Sequence, residues 1–443
     1  MMWLLILVTF VFLLYRSTIL PSSQEAPAVA APGALSNNKI MPMTCISDSS
    51  DMPATWLPNN NDFLRHHTRS KMEQPWTMKE EAASTSAVMG GFLELLELIG
   101  TLSDEDIEEE FDTTIEAFLD AAYSASNLPE MQPRALREAA KCLIIVARHY
   151  VEIDDGVEVL CDLAMNYIYL VNFSSILLER LPRDDQLKVL HENLVMYTNR
   201  SLKSCGNLQN VLDGVDPLLV GRCAAATGVP NEESCKSSDD VYLWLRNSIQ
   251  LNNALSIPEI EMPDGTDQFI ADTWAYLPKY IKEQGSDTNF VDDAYMVTHA
   301  GCMLDGYGRH QLFVKDAPWI FQYIRENFYK LLDGNSNDDD NNGSLDLVAE
   351  FVDMLRGYGC SEENDLQVLH GSRFLYHVYS KSGYSWIPHV HGTNEYKPWS
   401  TYDLIHGPWT GMSGLKQREF EPSVPGSYGD TLRAVLRRTS KHI

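Results

Sequence analysis

The chain has 443 residues, 44% of them hydrophobic, which is enough for one large domain or two ordinary ones with a sizeable core. Its 62 acidic residues outnumber its 34 basic residues and give a formal charge of −28 at pH 7. Such a surface repels phosphate backbones, so nucleic acid is excluded as an expected partner. The acidity favours a well-solvated surface or cationic partners.

The chain begins with an apolar run, MMWLLILVTFVFLLY, that ends before Arg16. A membrane-spanning helix needs about 20 apolar residues, so this shorter run is typical of a signal-peptide core. No basic residue precedes it and the small-x-small sequence at 28–30 is distant, so a signal anchor and a buried helix remain alternatives. We expect residues 1–20 to direct the chain to the secretory pathway, secreted or in the ER/Golgi lumen. A membrane contact is expected only through this segment, if it is not cleaved.

Two features agree with that route. Three Asn-x-Ser sequons predict glycosylation at Asn172, Asn199 and Asn342. Eight cysteines allow disulfides in an oxidising compartment. Cys142 and Cys161 lie in apolar helical runs and are interpreted as core residues, whereas Cys205 and two later cysteines lie in loop-like segments and are candidates for a bridge.

The region 21–85 is rich in Pro, Ser and Ala and predicts a disordered stem. From residue 88 onward, apolar residues recur at a spacing of three to four, and strand-like alternation is nearly absent. We therefore predict an all-α domain over residues 86–420. The basic residues of 421–443 are interpreted as a tail that docks on the acidic surface of the same chain.

One sequence pattern occurs twice. THAGCMLDGYG (298–308) and AEFVDMLRGYG (349–359) both end in Met-Leu-x-Gly-Tyr-Gly, which is typical of a helix with a glycine stop. The second is followed by another helical pattern, the turn KSGYSW and the segment HGPWTGMSGL. The order predicts successive helical hairpins, with helices at 292–304, 346–356 and 406–416 facing one cavity.

This order resembles the repeat of the α/α toroids, which include the terpene (squalene-type) cyclases and the protein prenyltransferase β-subunits. In those families an inner helix precedes an outer helix that ends in Gln-x-x-Asp-Gly-x-Trp. Here VLHGSRFLYHVYSKSGYSW keeps the spacing to Trp386, but Ser380, Gly383 and Tyr384 occupy the other three positions of that motif. The resemblance covers residues 290–418 most clearly and implies an α/α toroid, either complete or incomplete. It implies an architecture and no particular reaction.

Aligning the predicted inner helices on their glycine stops brings six polar or aromatic side chains to one end of the cavity. Residues three or four apart share a helix face, so these side chains are expected to converge. They are Tyr295, His299, Glu350, Asp353, His406 and Trp409.

Within this set, His299, Glu350 and His406 are predicted ligands of a divalent metal, because imidazole and carboxylate together bind Zn, Fe or Mn. Protein prenyltransferases bind a catalytic zinc through Asp, Cys and His, and DLIHGPWTGMSGL is similar to the segment carrying their His, which points to His406. Their Asp-x-Cys pair has no match here. The alternative is that these groups form hydrogen bonds between inner helices.

A second hypothesis needs no metal. Glu350, Asp353 and Asp305 are candidate general acids and bases of an enzyme that acts on a glycan or small molecule, with Tyr307 as a further catalytic candidate. By analogy of fold, aromatic residues such as Trp409 would stack on sugar rings. The alternative is a non-catalytic binding or scaffold protein whose cavity holds a structural polar network.

The segment 338–350, DDDNNGSLDLVAE, resembles an EF-hand calcium loop. Acidic or amide side chains occupy its first, third and fifth positions, at Asp338, Asp340 and Asn342. The twelfth position, which should be a bidentate Glu, is Ala349, and Glu350 comes one residue late. A polar insertion between two helices is the alternative interpretation.

Overall fold

The computed structural model describes Cys45 and residues 74–122, 128, 130–153, 161–213, 238–284, 290–306, 308–332, 342–386, 400–418, 420 and 428–439. These residues form α-helices, one short 3-10 helix and no β-strand. The predicted all-α class is therefore confirmed.

Fifteen α-helices are present among the described residues. The first seven are α1 (Met78–Ile99), α2 (Asp104–Glu109), α3 (Phe111–Ala122), α4 (Met131–Ile153), α5 (Ala164–Arg180), α6 (Asp185–Cys205) and α7 (Leu208–Asp213). The remaining eight are α8 (Ser238–Ala254), α9 (Thr266–Gln284), α10 (Phe290–Leu304), α11 (Pro318–Leu332), α12 (Asn342–Gly357), α13 (Leu366–Lys381), α14 (Thr401–Leu415) and α15 (Tyr428–Thr439).

Side-chain caps fix the starts of several helices. Thr77 caps α1: its hydroxyl accepts a hydrogen bond from the Glu80 backbone N–H at 3.2 Å, and the Glu80 carboxylate accepts one from the Thr77 N–H at 2.9 Å. Asp365 caps α13 and accepts from two backbone N–H groups of its first turn. Each cap satisfies donors that a helix start leaves unpaired, which typically stabilises the helix by about 1 kcal/mol.

Six helices, which we call the circuit helices, contact one another in a closed order: α3, α14, α12, α10, α8 and α5. The last step, between α3 and α5, is made by the rings of Phe111 and Tyr169, whose centroids lie 6.4 Å apart. Each circuit helix also packs against a partner helix. For five of them the partner is the next long helix along the chain, and for α14 it is α1, from the other end of the described chain.

The contact between α1 and α14 depends on small residues around Trp386. This side chain is fully buried, donates from Nε1 to the Ala87 carbonyl at 3.0 Å and stacks on Tyr379. A Cβ at Gly411 would lie 2.1 Å from the indole ring, and one at Gly91 would lie 2.9 Å from a backbone oxygen of α14. Glycine is required at these positions because the helix backbones approach closely.

The last glycines of the two Gly-Tyr-Gly sequences adopt the same φ, 88° at Gly308 and 86° at Gly359, which L side chains rarely adopt. The first glycines differ: Gly306 lies beyond the end of α10 with φ of 67°, whereas Gly357 is the last residue of α12. α12 therefore continues two residues further than α10 before the chain turns. The helices predicted at 292–304, 346–356 and 406–416 correspond to α10, α12 and α14, with α12 packed between the other two.

Both ends of the predicted domain carry additional helical structure. α1 begins at Met78, inside the region predicted as a stem. In the predicted basic tail, α15 packs against α8 and α9. Most of the remaining stem, and residues 1–20, lie outside the described residues.

Two disulfides are present among the described cysteines: Cys161–Cys205 and Cys45–Cys360. The interpretation of Cys161 as a core residue is wrong, because its sulfur is bonded to Cys205. The interpretation of Cys142 is confirmed, since its side chain is buried and reduced.

Two described helices, Met78–Ile99 and the span Cys161–Arg180, are long and apolar enough to cross a membrane by length and composition alone. The second is largely buried by its neighbours, and the first carries Glu80 and Glu81 and packs on α14. Both helices are explained by core packing in the described domain.

Candidate functional site

Half-buried aromatic and ionisable side chains lie next to one another where four circuit helices meet, and we call the surface that they form the recess. Six of them, which we call the recess residues, are Tyr242 of α8, Tyr295 and His299 of α10, Glu350 of α12, and Tyr402 and Trp409 of α14. Burial raises the pKa of Tyr242, Tyr295 and Tyr402. Each of these three side chains nevertheless keeps some accessible surface.

His299 and Glu350 form the ionisable pair of the recess. His299 Nε2 lies 3.5 Å from Glu350 Oε1, and the Thr298 hydroxyl donates to the other oxygen of the same carboxylate. Burial alone would lower the pKa of His299, but the Glu350 carboxylate outweighs it and the pKa lies above its ordinary value. Burial and then the neighbouring Asp346 carboxylate raise the pKa of Glu350, against the opposing effect of His299.

Asp346 lies one helical turn before Glu350, on the same face of α12. Its carboxylate accepts a hydrogen bond from the Tyr295 hydroxyl at 2.9 Å and another from the Thr410 hydroxyl. His406 Nδ1 is 3.6 Å from Asp346 Oδ1. Three helices therefore meet at this one carboxylate.

Asp346, Glu350 and His406 each offer one ligand atom such that the three atoms lie within 4.8 Å of one another. Two of the predicted metal ligands, Glu350 and His406, are thus brought together. The third, His299, contacts Glu350 from the other side, and Asp346 completes the group. Sequence reasoning missed Asp346, although its spacing of four residues from Glu350 on one helix was a usable signal.

Aromatic rings surround His406. Its ring stacks on Tyr402 with centroids 4.9 Å apart and meets Trp409 edge-on at 5.5 Å. On the opposite wall, the centroid of the His299 ring is 5.2 Å from that of Tyr242 and 5.9 Å from that of Tyr295. Both histidines are consequently held in position by ring packing as well as by carboxylates.

Two other predicted catalytic carboxylates belong to a separate buried ion cluster. Asp305 and Asp353 both accept hydrogen bonds from the Arg418 guanidinium, and Asp353 also lies 3.3 Å from Lys416 Nζ. Lys416 pairs in addition with Asp120 of α3. Burial and the neighbouring Asp353 raise the pKa of Asp305 to about 6, although Arg418 opposes the shift. This cluster joins α3, α10 and α12 to the segment that follows α14.

Several other predicted positions can be located. Tyr307, the further catalytic candidate, lies outside the described residues. Asp338 and Asp340 of the calcium-loop hypothesis also lie outside them, whereas Glu350 belongs to α12 and contacts Thr298 and His299.

The predicted glycosylation sites differ in their surroundings. Asn172 is buried within α5, and its amide donates to the backbone and side chain of Gln250, contacts that a glycan at Asn172 would displace. Asn199 is half-buried and its amide bonds to the backbone of Glu259 and Glu261. Asn342 begins α12. Glycosylation at all three positions stays a prediction.

The chain matches no protein-family model, no curated protein and no solved structure. Its function is therefore inferred from the residues of the site.

Proposed function

We propose that the circuit helices form the inner ring of an α/α toroid, and that the recess is the active site of an enzyme acting on a glycan or a small polar molecule. The observation that carries the proposal is the pairing of His299 with Glu350 among four aromatic side chains from α8, α10 and α14. We further propose that the protein is secreted or luminal.

The toroid is supported by the order of helix contacts. An inner ring needs each inner helix to touch the next and the last to touch the first, with an outer helix behind each one. The contacts of the circuit helices with one another and with their partner helices agree with this arrangement. α1 supplies the outer partner of α14, which explains why a helix near the start of the domain packs on one near its end.

The proposed chemistry is proton transfer through Nε2 of His299, the nitrogen that faces Glu350, because Nδ1 is buried and has no hydrogen-bond partner among the described residues. A carboxylate within hydrogen-bond reach of one imidazole nitrogen orients the ring and stabilises its protonated form. Glu350 is itself fixed by Thr298, so the pair is positioned before substrate binds. Asp305 and Asp353, which the sequence offered for this role, are instead occupied by Arg418.

A glycan or small polar substrate is favoured by the walls of the recess. Aromatic faces next to carboxylates and imidazoles suit a molecule with apolar C–H faces and polar edges, as a sugar ring has. Such faces are provided by Tyr242 and Tyr295, which contact His299, and by Tyr402 and Trp409, which contact His406.

The secretory placement is supported by Cys161–Cys205 and Cys45–Cys360, because structural disulfides persist in oxidising compartments. It also agrees with the apolar N-terminal run.

The proposal is tested with the full chain produced through a secretory route and incubated with a panel of neutral and acidic polysaccharides. New chain ends would be measured by a reducing-end assay. We expect turnover of one polysaccharide class and a loss of about 100-fold or more in His299→Ala. His149→Ala is the matched control, since His149 pairs with Glu108 at 3.2 Å away from the recess. Equal activity in both variants would overturn the role of His299, and no turnover across the panel would overturn the glycan class.

The alternative, a binding or scaffold protein, is favoured by one observation. Hydroxyl groups of Tyr295, Thr298 and Thr410 satisfy the recess carboxylates, as a structural network between helices would. This alternative predicts that substitutions in the recess change the free energy of unfolding and that the wild-type protein itself shows no turnover.

A further inference from the structure

We propose that Asp346, Glu350 and His406 bind one divalent transition-metal cation in the recess. The inference rests on the proposed function in that it places a cofactor in the same active site. Binding of the cation is measurable without any substrate, so the two proposals can fail independently.

The geometry comes first. Asp346 and Glu350 project from successive turns of α12, and His406 faces them from α14. Their three ligand atoms lie within 4.8 Å of one another. A transition-metal ion binds such atoms at about 2.0–2.2 Å, a distance that small rotations of the three side chains would give. The two helices are packed directly together, so the three donors are held by the core of the domain.

The charge of the group is the second argument. Asp346 and His406 are buried, and Glu350 exposes 17% of its side chain. Among the described residues neither carboxylate is paired with Lys or Arg, and the cationic side chains near them are the two histidines, His299 beside Glu350 and His406 beside Asp346. Two adjacent carboxylates at low dielectric repel each other, and a bound cation relieves that repulsion.

The surroundings of the donors supply the third argument. Tyr295 and Thr410 donate hydrogen bonds to Asp346, and Thr298 donates to Glu350. Each oxygen keeps a further lone pair for a cation. Hydrogen bonds of this kind orient ligating carboxylates and raise metal affinity, commonly by 10–100-fold.

The donor set indicates the class of cation. One imidazole and two carboxylates suit Zn²⁺ or Mn²⁺ better than Ca²⁺ or Mg²⁺, which prefer oxygen donors alone. Three protein ligands also leave coordination positions open for water or substrate, as in catalytic metal sites.

The test uses the full chain, treated with EDTA, dialysed and titrated with ZnCl₂ or MnCl₂ in a calorimeter. We expect one site per chain, with affinity reduced at least about 10-fold in Asp346→Asn and in His406→Gln. Glu108→Gln is the matched control, because Glu108 forms a carboxylate–histidine pair at the surface, and it should bind like the wild type. Absence of binding to the wild type, or equal binding by all the variants, would overturn the inference.

A second measurement distinguishes loss of the metal site from unfolding of the variants. Co²⁺ added to the EDTA-treated wild type should give visible absorption bands of a protein-bound ion, and circular dichroism should show that each variant retains its helices. Loss of the Co²⁺ bands in a folded His406→Gln protein supports the site, and unchanged bands contradict it. Metal binding without glycan turnover would refute only the proposed function, and glycan turnover by a protein that binds no Zn²⁺ or Mn²⁺ would refute only this inference.

Discussion

Oε1 of Glu350 on α12 lies 3.5 Å from Nε2 of His299 on α10, and the Thr298 hydroxyl donates a hydrogen bond to the other oxygen of the same carboxylate. Both residues belong to helices with the same Gly-Tyr-Gly stop, but they occupy equivalent positions of two different repeats. The repeat therefore brings these two equivalent positions together on neighbouring helices. They form an ionisable pair because one repeat carries His and the other carries Glu at that position.

Loss of Arg418 should destabilise the domain strongly. Its guanidinium is almost fully buried and serves both Asp305 and Asp353, so Arg418→Met leaves buried carboxylates with less cationic compensation. We expect the free energy of unfolding in urea to fall by about 3–5 kcal/mol. Arg433→Met is the control: Arg433 pairs with Asp316 and Asp430 at a partly exposed position and should cost less than about 1 kcal/mol. Similar losses in the two variants would contradict the importance of the buried ion cluster.

Asp293 should make stability depend on pH. It is 1% exposed, neither of its carboxylate oxygens has a hydrogen-bond partner among the described residues, and burial, followed by the neighbouring Asp292, raises its pKa to about 6. The folded state therefore holds this proton more tightly than the unfolded chain does. Its contribution to stability is fully present below the unfolded pKa of about 3.9 and is lost as pH rises through about 6.

Urea unfolding of the wild type and of Asp293→Asn should reveal this contribution. The variant should gain stability relative to the wild type as pH rises from about 4 to about 6, because Asn stays neutral throughout. Asp264→Asn, at an exposed position in a turn, serves as the control. A difference between Asp293→Asn and wild type that does not change with pH would contradict the assignment.

Gly411 should tolerate no larger side chain. In Gly411→Ala the new methyl group would overlap the Trp386 ring, so α14 must shift away from it. We expect a loss of about 1–3 kcal/mol, measured by chemical denaturation. Gly100→Ala, at the end of α1 with φ of −66° and no contact closer than 3.4 Å, should be nearly neutral. A neutral Gly411→Ala would show that the contact between α1 and α14 is looser than described.

The Cys161–Cys205 disulfide should form in the secreted protein. Mass spectrometry of peptides from non-reduced protein should find the two cysteines linked, and their joint replacement by serine should lower stability by about 4 kcal/mol, given the length of the loop they close. Recovery of both cysteines as free thiols under the same conditions would contradict this pairing and the oxidising compartment.

The helices of the repeat region could be predicted because their signals are local. Apolar spacing and a terminal glycine identify α10, α12 and α14 within a few residues of their observed bounds. Glu350 and His406 followed from that alignment. Asp346 did not follow from it, because it is the first residue of the predicted helix 346–356, whereas the observed α12 begins four residues earlier and places Asp346 one full turn inside the helix.

No local sequence pattern predicts the buried ion cluster. Lys416 and Arg418 follow the end of α14 in a segment without periodicity, and their partners on α3, α10 and α12 are distant in sequence. Only the packing of the circuit helices decides that Asp305 and Asp353 face Arg418 and that Glu350 faces His299. The same is true of α1, whose pairing with α14 joins opposite ends of the domain.

The most direct test of the central claim is a paired measurement on Glu350→Gln: turnover of the polysaccharide identified by the panel and the free energy of unfolding of the same preparation. Gln keeps the shape of the side chain and can still accept the Thr298 hydrogen bond, so we expect stability to change by no more than about 1 kcal/mol. Turnover per folded molecule should fall about 100-fold or more, because the neutral amide no longer supports the imidazole. Unchanged turnover per folded molecule, with a loss of several kcal/mol in stability, would contradict the claim and leave the recess as a structural network.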